Sequence, residues 1–199
     1  MSFRIEQKLL INKSQIFDFK KWIDSKGYKK LFNDRKVNSL YFENIANSIF
    51  LDSEEGILPR KKLRVRNYPQ DKTHEYFFEN KISSLEGRFK EKKNISKIQF
   101  EKIKKNGYYD NLYSSCYPRF YVTYSREYYD CKTSRLTVDT NISYKDFKNE
   151  NLNKKDSSIA VEIKTNPNHS LDDLLQQFPF QRIRFSKYCR GFLILYDQD

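Results

Sequence analysis

Lys62-Leu63-Arg64-Val65-Arg66 sets three cations at every second position with apolar residues between them, and a strand is the backbone that sends such neighbours to opposite faces. The chain repeats the device five more times. Arg4, Glu6 and Lys8 alternate around Ile5; Glu79 and Lys81 sit beside Phe78 and Ile82; Tyr124, Arg126 and Tyr128 share a period of two. Arg135, Thr137 and Asp139 enclose Leu136 and Val138, while Glu162 and Lys164 lie next to Val161 and Ile163. A single strand of this kind is an ordinary half-solvated one. Six with the same habit require a sheet with one apolar, covered face and one charged face that carries nine cations against four carboxylates. Like charges at that density are tolerated where water or counter-anions fill the space between them. The economical arrangement is an α+β fold, an antiparallel β-barrel of about eight strands forming a basic tunnel, with packing helices outside.

Around these segments the punctuation is that of one β-rich unit. Runs of β-branched and aromatic residues predict strands over 3–11, 38–42, 62–68, 76–83, 120–130, 134–142, 160–165 and 191–196. One helix is expected after Ser14 as N-cap, with Ile16, Phe19 and Ile23 at helical spacing and Gly27 as the stop. A second runs from near Ser96 to before Gly107, and a third follows Ser170, with Asp173 completing a capping box and Leu171, Leu174, Leu175 and Phe178 on its apolar face. Residues 149–158 are polar and read as a hairpin excursion or loop. With no repeat period and no linker, residues 1–199 are expected to form a single domain.

The bulk composition narrows the partner. Lys and Arg number 38 against 26 Asp and Glu, a net charge of +12 that favours a polyanion: nucleic acid, an anionic membrane or a phosphate chain. Cys116, Cys131 and Cys189 are odd in number and scattered, which excludes a disulfide framework or thiolate zinc site and fits a reducing cytoplasm. The N-terminus has no apolar signal core, and the run Phe192 to Tyr196 is too short to span a bilayer. His74 and His169 lie in turn-like surroundings without a partner motif, so a phosphohistidine intermediate is not expected.

The residue types on the charged face suit phosphate. Arginine meets it with a planar fork and lysine with a movable point charge. A carboxylate in such a site either pairs with a cation or holds a hard divalent metal, and Glu162 and Glu6 are the metal candidates, with Glu79 and Asp139 the pairing ones. The run Arg60-Lys61-Lys62 and the pair Arg88 and Lys90 read equally well as solvated basic surface. Tyr124, Tyr128 and Tyr129 are expected to fill space between sheet and helices, although aromatics interleaved with cations also stack bases.

The ordered set Arg4-x-Glu6-x-Lys8, Ser39-Leu40-Tyr41-Phe42, Lys62-x-Arg64-x-Arg66, Glu79-x-Lys81, Tyr124-x-Arg126-Glu127-x-Tyr129, Arg135-x-Thr137-x-Asp139, Glu162-x-Lys164 and Ser186-Lys187-Tyr188 resembles the VTC domain, a branch of the triphosphate tunnel metalloenzymes. That resemblance implies phosphate-binding roles for Lys8, Lys62, Arg64, Arg66, Lys81, Arg88, Arg126, Arg135, Lys164 and Lys187. It makes Lys8, Arg64, Arg66, Arg126, Arg135 and Lys187 the catalytic group, with Lys187 supplied by a short segment near the tunnel mouth. It also implies Mn²⁺ or Mg²⁺ at Glu162, with ATP and polyphosphate as partners and polyphosphate synthesis as the reaction. Arg4 stands where many relatives in the wider superfamily carry the first acid of E-x-E-x-K, which favours a polymerase over a triphosphatase. The partner domains and membrane segments of the eukaryotic VTC complex have no counterpart in these residues, so a stand-alone enzyme or an accessory domain is expected. A metal-dependent triphosphatase and a non-catalytic polyphosphate- or RNA-binding module are the alternatives.

Overall fold

Alternation of apolar and charged residues builds one antiparallel sheet from eleven strands. A computed structural model describes residues 5–131, 134–165, 178, 180 and 185–197, with the side chains of Ile5 and Glu6 outside that description. The strands are β1 (Ile5–Ile11), β2 (Lys29–Lys30), β3 (Arg35–Asn44), β4 (Arg60–Asn67), β5 (Tyr76–Ser84), β6 (Gly87–Ile95), β7 (Tyr108–Asp110), β8 (Ser114–Cys131), β9 (Ser134–Asp146), β10 (Asn153–Lys155) and β11 (Ile159–Thr165). Four described helices accompany them: α1 (Ile16–Ser25), α2 (Ser48–Glu55), α3 (Lys97–Asn106) and α4 (Lys187–Tyr196).

The main path of pairing runs β1-β11-β9-β8-β3-β4-β5-β6, and the short β2, β7 and β10 hang on β8 and β9. Side chains from both ends of this path, Lys8 of β1 and Arg88 of β6, line the same cavity, so the sheet is strongly curled. The expected eight-stranded barrel thus takes the form of a half-barrel, since no ladder joins β1 to β6 among the described residues.

Two irregularities re-aim side chains. Between Tyr41 and Phe42 the register with β8 shifts, and Pro118, which has no N–H to donate, falls there. In β9, Asn141 adopts a left-handed φ of 52° where the pairing with β8 slips between Thr123 and Ser125. The slip puts Ile142 and Tyr144 on the face that carries Arg135, Thr137 and Asp139 before it, and Tyr144 is fully buried.

Apolar faces are covered on both sides. On the outer side, Phe19, Trp22 and Ile23 of α1 pack against Leu9, Ile11, Leu136, Val138, Val161 and Ile163. Inside the curl, Tyr188 and Phe192 of α4 join a core with Tyr41, Phe120 and Tyr144. The 191–196 run is therefore helical, contrary to the strand expected. A five- or six-residue apolar run has no decisive period, and Tyr188, Cys189, Phe192 and Leu195 are buried at helical spacing behind Ser186, whose Oγ accepts the Cys189 N–H.

The helix expected after Ser14 starts slightly later: Ser14 lies in a 3-10 turn, Lys13–Gln15, entered from Asn12, whose N–H donates to Gln15 Oε1 at 2.9 Å. Gly27 ends it with φ of 66°, as read from the sequence. Helix α3 starts after Ser96 and stops before Gly107 as expected, and Ser96 caps it in a capping box with Gln99 that the sequence reading did not include. Helix α2 was not read from the sequence because its N-cap, Asn47, does not cap it: Asn44 Oδ1 accepts the Ser48 N–H at 2.8 Å, and the Glu43 carboxylate, in the preceding strand, accepts from the Ile49 and Phe50 N–H groups at 3.1 and 3.0 Å. Arg4, His169 and the helix expected after Ser170 lie outside the described residues. No described helix is long and apolar enough to cross a membrane.

Gly191 lets α4 lie against the sheet. A Cβ there would stand 2.5 Å from Tyr144 Cδ1 and 2.8 Å from Phe120 Cε2. Alanine favours a helix interior over glycine by about 1 kcal/mol, whereas overpacking costs about 1–3 kcal/mol. Gly191→Ala is expected to lower stability in urea unfolding; a rise in midpoint would show that α4 has room to move off the two rings.

Candidate phosphate-binding cavity

Pairing register brings the alternating charges of seven strands and one helix to a single concave face. On β4 and β5, Lys62 stands opposite Lys81 and Arg64 opposite Glu79, and across the next ladder Lys81 faces Lys90 and Ser83 faces Arg88 of β6. From the other end of the sheet, Lys8 faces Glu162, Lys164 faces Arg135, and Arg126 faces Asp139. Lys187 is the first residue of α4, so the short segment expected to supply it is a helix N-terminus.

All ten expected phosphate ligands, Lys8, Lys62, Arg64, Arg66, Lys81, Arg88, Arg126, Arg135, Lys164 and Lys187, line one cavity of about 610 Å³. Glu162 is the one carboxylate among the described residues lining it. Arg60, Lys61 and Lys90 line it too, so the run Arg60-Lys61-Lys62 and the Arg88 pair are cavity wall, beyond what their surface reading allowed. Tyr41, Ser186 and Tyr188 complete the wall near α4; they stand in the motifs Ser39-Leu40-Tyr41-Phe42 and Ser186-Lys187-Tyr188, but as uncharged residues they were assigned no phosphate role from the sequence.

Two buried carboxylates hold the arginines in place. Arg64 Nε donates to Glu79 Oε2 at 2.7 Å and its NH1 group to Tyr41 Oη at 2.8 Å. Arg66 donates to Ser39 Oγ at 3.2 Å and to Tyr124 Oη at 3.0 Å, while Lys90 closes on the other Glu79 oxygen. Asp139 receives Arg126 in a bidentate pair of 2.6 and 2.7 Å and Lys187 at 2.5 Å. Burial alone would raise both carboxyl groups, but Arg64, Arg66 and Lys90 hold Glu79 well below the usual carboxylate range, and Arg126 with Lys187 lowers Asp139.

The tyrosines divide between the two faces. Tyr124 points into the cavity, Tyr128 continues the same face, and Tyr129 points outward, where its hydroxyl receives Lys20 of α1 at 2.7 Å. His74 is exposed in a turn with φ of 45°. The three cysteines are free and buried; burial pushes the Cys116 and Cys131 thiols up to about 12.

Three lysines of the cavity wall are pushed below their ordinary value, Lys90 by burial against the pull of Glu79, and Lys62 and Lys187 besides. Burial pushes the Lys62 ammonium below its ordinary value, and neighbouring Lys8 adds to that. Burial lowers Lys187 as well, against the pull of Asp139.

No group of three or more His, Cys, Asp or Glu side chains gathers among the described residues. Glu162 is a suitable ligand for a hard cation: burial would raise its carboxyl, yet Lys164, Arg126, Lys8 and Lys81 keep it well below the usual range and so ionised. The backbone of Glu6 pairs with that of Lys164, which sets Glu6 diagonally from Glu162 on the same face; the Glu6 side chain lies outside the described residues. A metal bound here would take most of its oxygens from its ligand and water, the habit of Mg²⁺-type ions.

The fold matches several solved structures. A Bacillus halodurans protein provisionally named an adenylate cyclase superimposes with a TM-score of 0.66 at 15% identity, covering 96% of this chain and 97% of that one. A Vibrio parahaemolyticus protein with the same provisional name gives 0.58 at 13% identity, with 96% and 98% covered. A Hippeastrum protein, provisionally an adenylyl cyclase with a dominant triphosphatase activity, gives 0.58 at 15% identity, with 95% and 96% covered. At these identities the likeness establishes the fold alone. No curated protein matches the sequence significantly. The VTC domain model, however, matches residues 3–196, nearly the whole of the chain whose charged strands close on this cavity, and the chain belongs to the VTC domain family.

Proposed function

We propose that this chain is an ATP-dependent polyphosphate polymerase, folded as a single domain, in which the cavity holds the triphosphate of ATP and the end of a growing phosphate chain. The observation that carries this reading is the convergence of thirteen cations and, among the described residues, a single carboxylate, Glu162, on one cavity. A terminal oxygen of the chain attacks the γ-phosphorus of ATP, the bond from γ-phosphorus to the bridging oxygen breaks, and ADP leaves with that electron pair. The protein's contribution is alignment and charge neutralisation. Arg64, Arg66 and Arg126 are pre-set by Glu79, Tyr41, Ser39, Tyr124 and Asp139, so they meet the charge of the transferring group without reorganising. Glu162, with Glu6, would hold Mn²⁺ or Mg²⁺, which when bound neutralises charge on phosphate oxygens.

The Hippeastrum neighbour favours a second reading, triphosphate hydrolysis in the same cavity with water as acceptor. Incubation with ATP and Mn²⁺ separates the two. Polymerase action releases ADP together with a polymer visible on a gel; release of ADP and inorganic phosphate without polymer identifies the triphosphatase.

Arg64→Ala and Arg126→Ala are expected to lower turnover by about 100-fold or more. Both leave a buried carboxylate short of a partner, so folding is checked by circular dichroism; folded variants with unchanged turnover would remove the assignment. Glu162→Gln should abolish the metal requirement or the activity, while binding tripolyphosphate without metal at least as tightly as the unaltered chain, because a repelling charge is gone.

Deprotonation of Lys62 or Lys187 removes a cation from the cavity. Tripolyphosphate affinity should therefore fall with rising pH, beginning below the ordinary lysine value of 10.5. Calorimetric titration across pH checks this, and Lys187→Arg should move the decline to higher pH.

A further inference from the structure

The concave face does not end at Arg66 and Arg126. On β4 the next inward position after Arg66 is Tyr68, just past the strand; on β5, Phe77 stands directly opposite Arg66. On β3, Arg35 pairs with Arg126, and Tyr128 lies two residues further along β8. These positions form a band of half-buried rings beside the cavity, and cations cover them. The Arg35 guanidinium carbon lies 4.3 Å from the Tyr68 ring centre and Lys92 Nζ lies 3.5 Å from that of Phe77, whose ring is 6.2 Å from Tyr68. Arg35 is anchored by Asp71, whereas Lys92 is exposed.

The opposite end of the same strands differs in chemistry. Arg60, Lys62, Lys81, Ser83, Arg88 and Lys90 occupy its inward positions on β4, β5 and β6, and Phe89 and Tyr188 are the rings that line the cavity beside them. The density of cations at this end suits inorganic phosphate, and the band of cation-covered rings at the other suits a flat, electron-rich group attached to phosphate.

We propose that the Tyr68–Phe77 pair, with Arg35 and Lys92, is a stacking subsite for the base of a nucleoside triphosphate whose phosphates lie on Arg66 and Arg126. The cavity then has a polarity, with nucleotide at the aromatic end and polyphosphate at the cationic end. This rests on the reading of the cavity as an ATP site. Every nucleobase has a π-face, so stacking here gives affinity with little base selectivity. Lys92, a long exposed side chain, swings off the Phe77 ring to admit the base and remains close enough to add a cation–π contact.

Calorimetry with ATP and with tripolyphosphate, both in the presence of Mg²⁺, tests the subsite. Phe77→Ala and Tyr68→Ala should each weaken ATP about tenfold, within the range of single base–aromatic stacks, and leave tripolyphosphate within about twofold. Phe77→Trp, which keeps a stacking surface, should retain ATP affinity. Unchanged ATP affinity in both alanine variants, or an equal loss for both ligands, would overturn the subsite while the phosphate cavity stands. Failure of the unaltered chain to bind either ligand would remove the functional reading and the subsite together.

Discussion

Two buried carboxylates make the cationic cavity possible. Glu79 is 1% exposed and Asp139 fully buried, and each is shared among two or more cations from different elements. Burying an ion costs several kcal/mol unless partners satisfy it, and here each carboxylate has more than one. The converse matters equally: arginines crowded on one face repel each other, and Glu79 and Asp139 offset that repulsion from beneath while leaving the cavity surface strongly basic. The carboxylates thus set both the stability of the face and the direction in which its guanidinium groups point.

Packing inside the curl is tied to the same site. Helix α4 presents Lys187 to Asp139 from its first turn, and its next residue, Tyr188, donates to Glu43, which also caps α2. Phe50 of α2 stacks on Phe192 of α4 at 4.0 Å between ring centres. Burial of large aromatic surface in this cluster offsets the cost of holding charges nearby. The close approach at Gly191 and the register slip at Asn141 allow α4 to seat against the sheet, so residues with no chemistry of their own fix where a phosphate-directed lysine stands.

Much of this was legible because charge alternation is a strong signal in strands. Arg64 could be assigned to one face with Arg66, and Glu162 to one face with Lys164, from spacing alone, since along one strand a period of two admits no other face. The start of α3 at Ser96 and the stop at Gly27 are likewise local chemistry. Less could be read where the deciding partner is far away in sequence. The 191–196 run depends on an aromatic surface assembled from β3, β8 and β9. The roles of Arg60, Lys61 and Lys90 depended on whether the β4–β6 end of the sheet curls inward or faces solvent.

The sequence by itself determined which side chains share a face, the excess of cations on it, and through its ordered motifs the VTC domain family, because these follow from backbone periodicity and residue type. Only the tertiary structure decided that β1 and β6 contribute to one cavity, that Glu79 and Asp139 lie beneath it as shared counter-ions, and that the cation-covered rings of Tyr68 and Phe77 stand beside it. Those outcomes depend on sheet curvature, register shifts and packing between residues distant in the chain, which a period of two along a single strand does not encode.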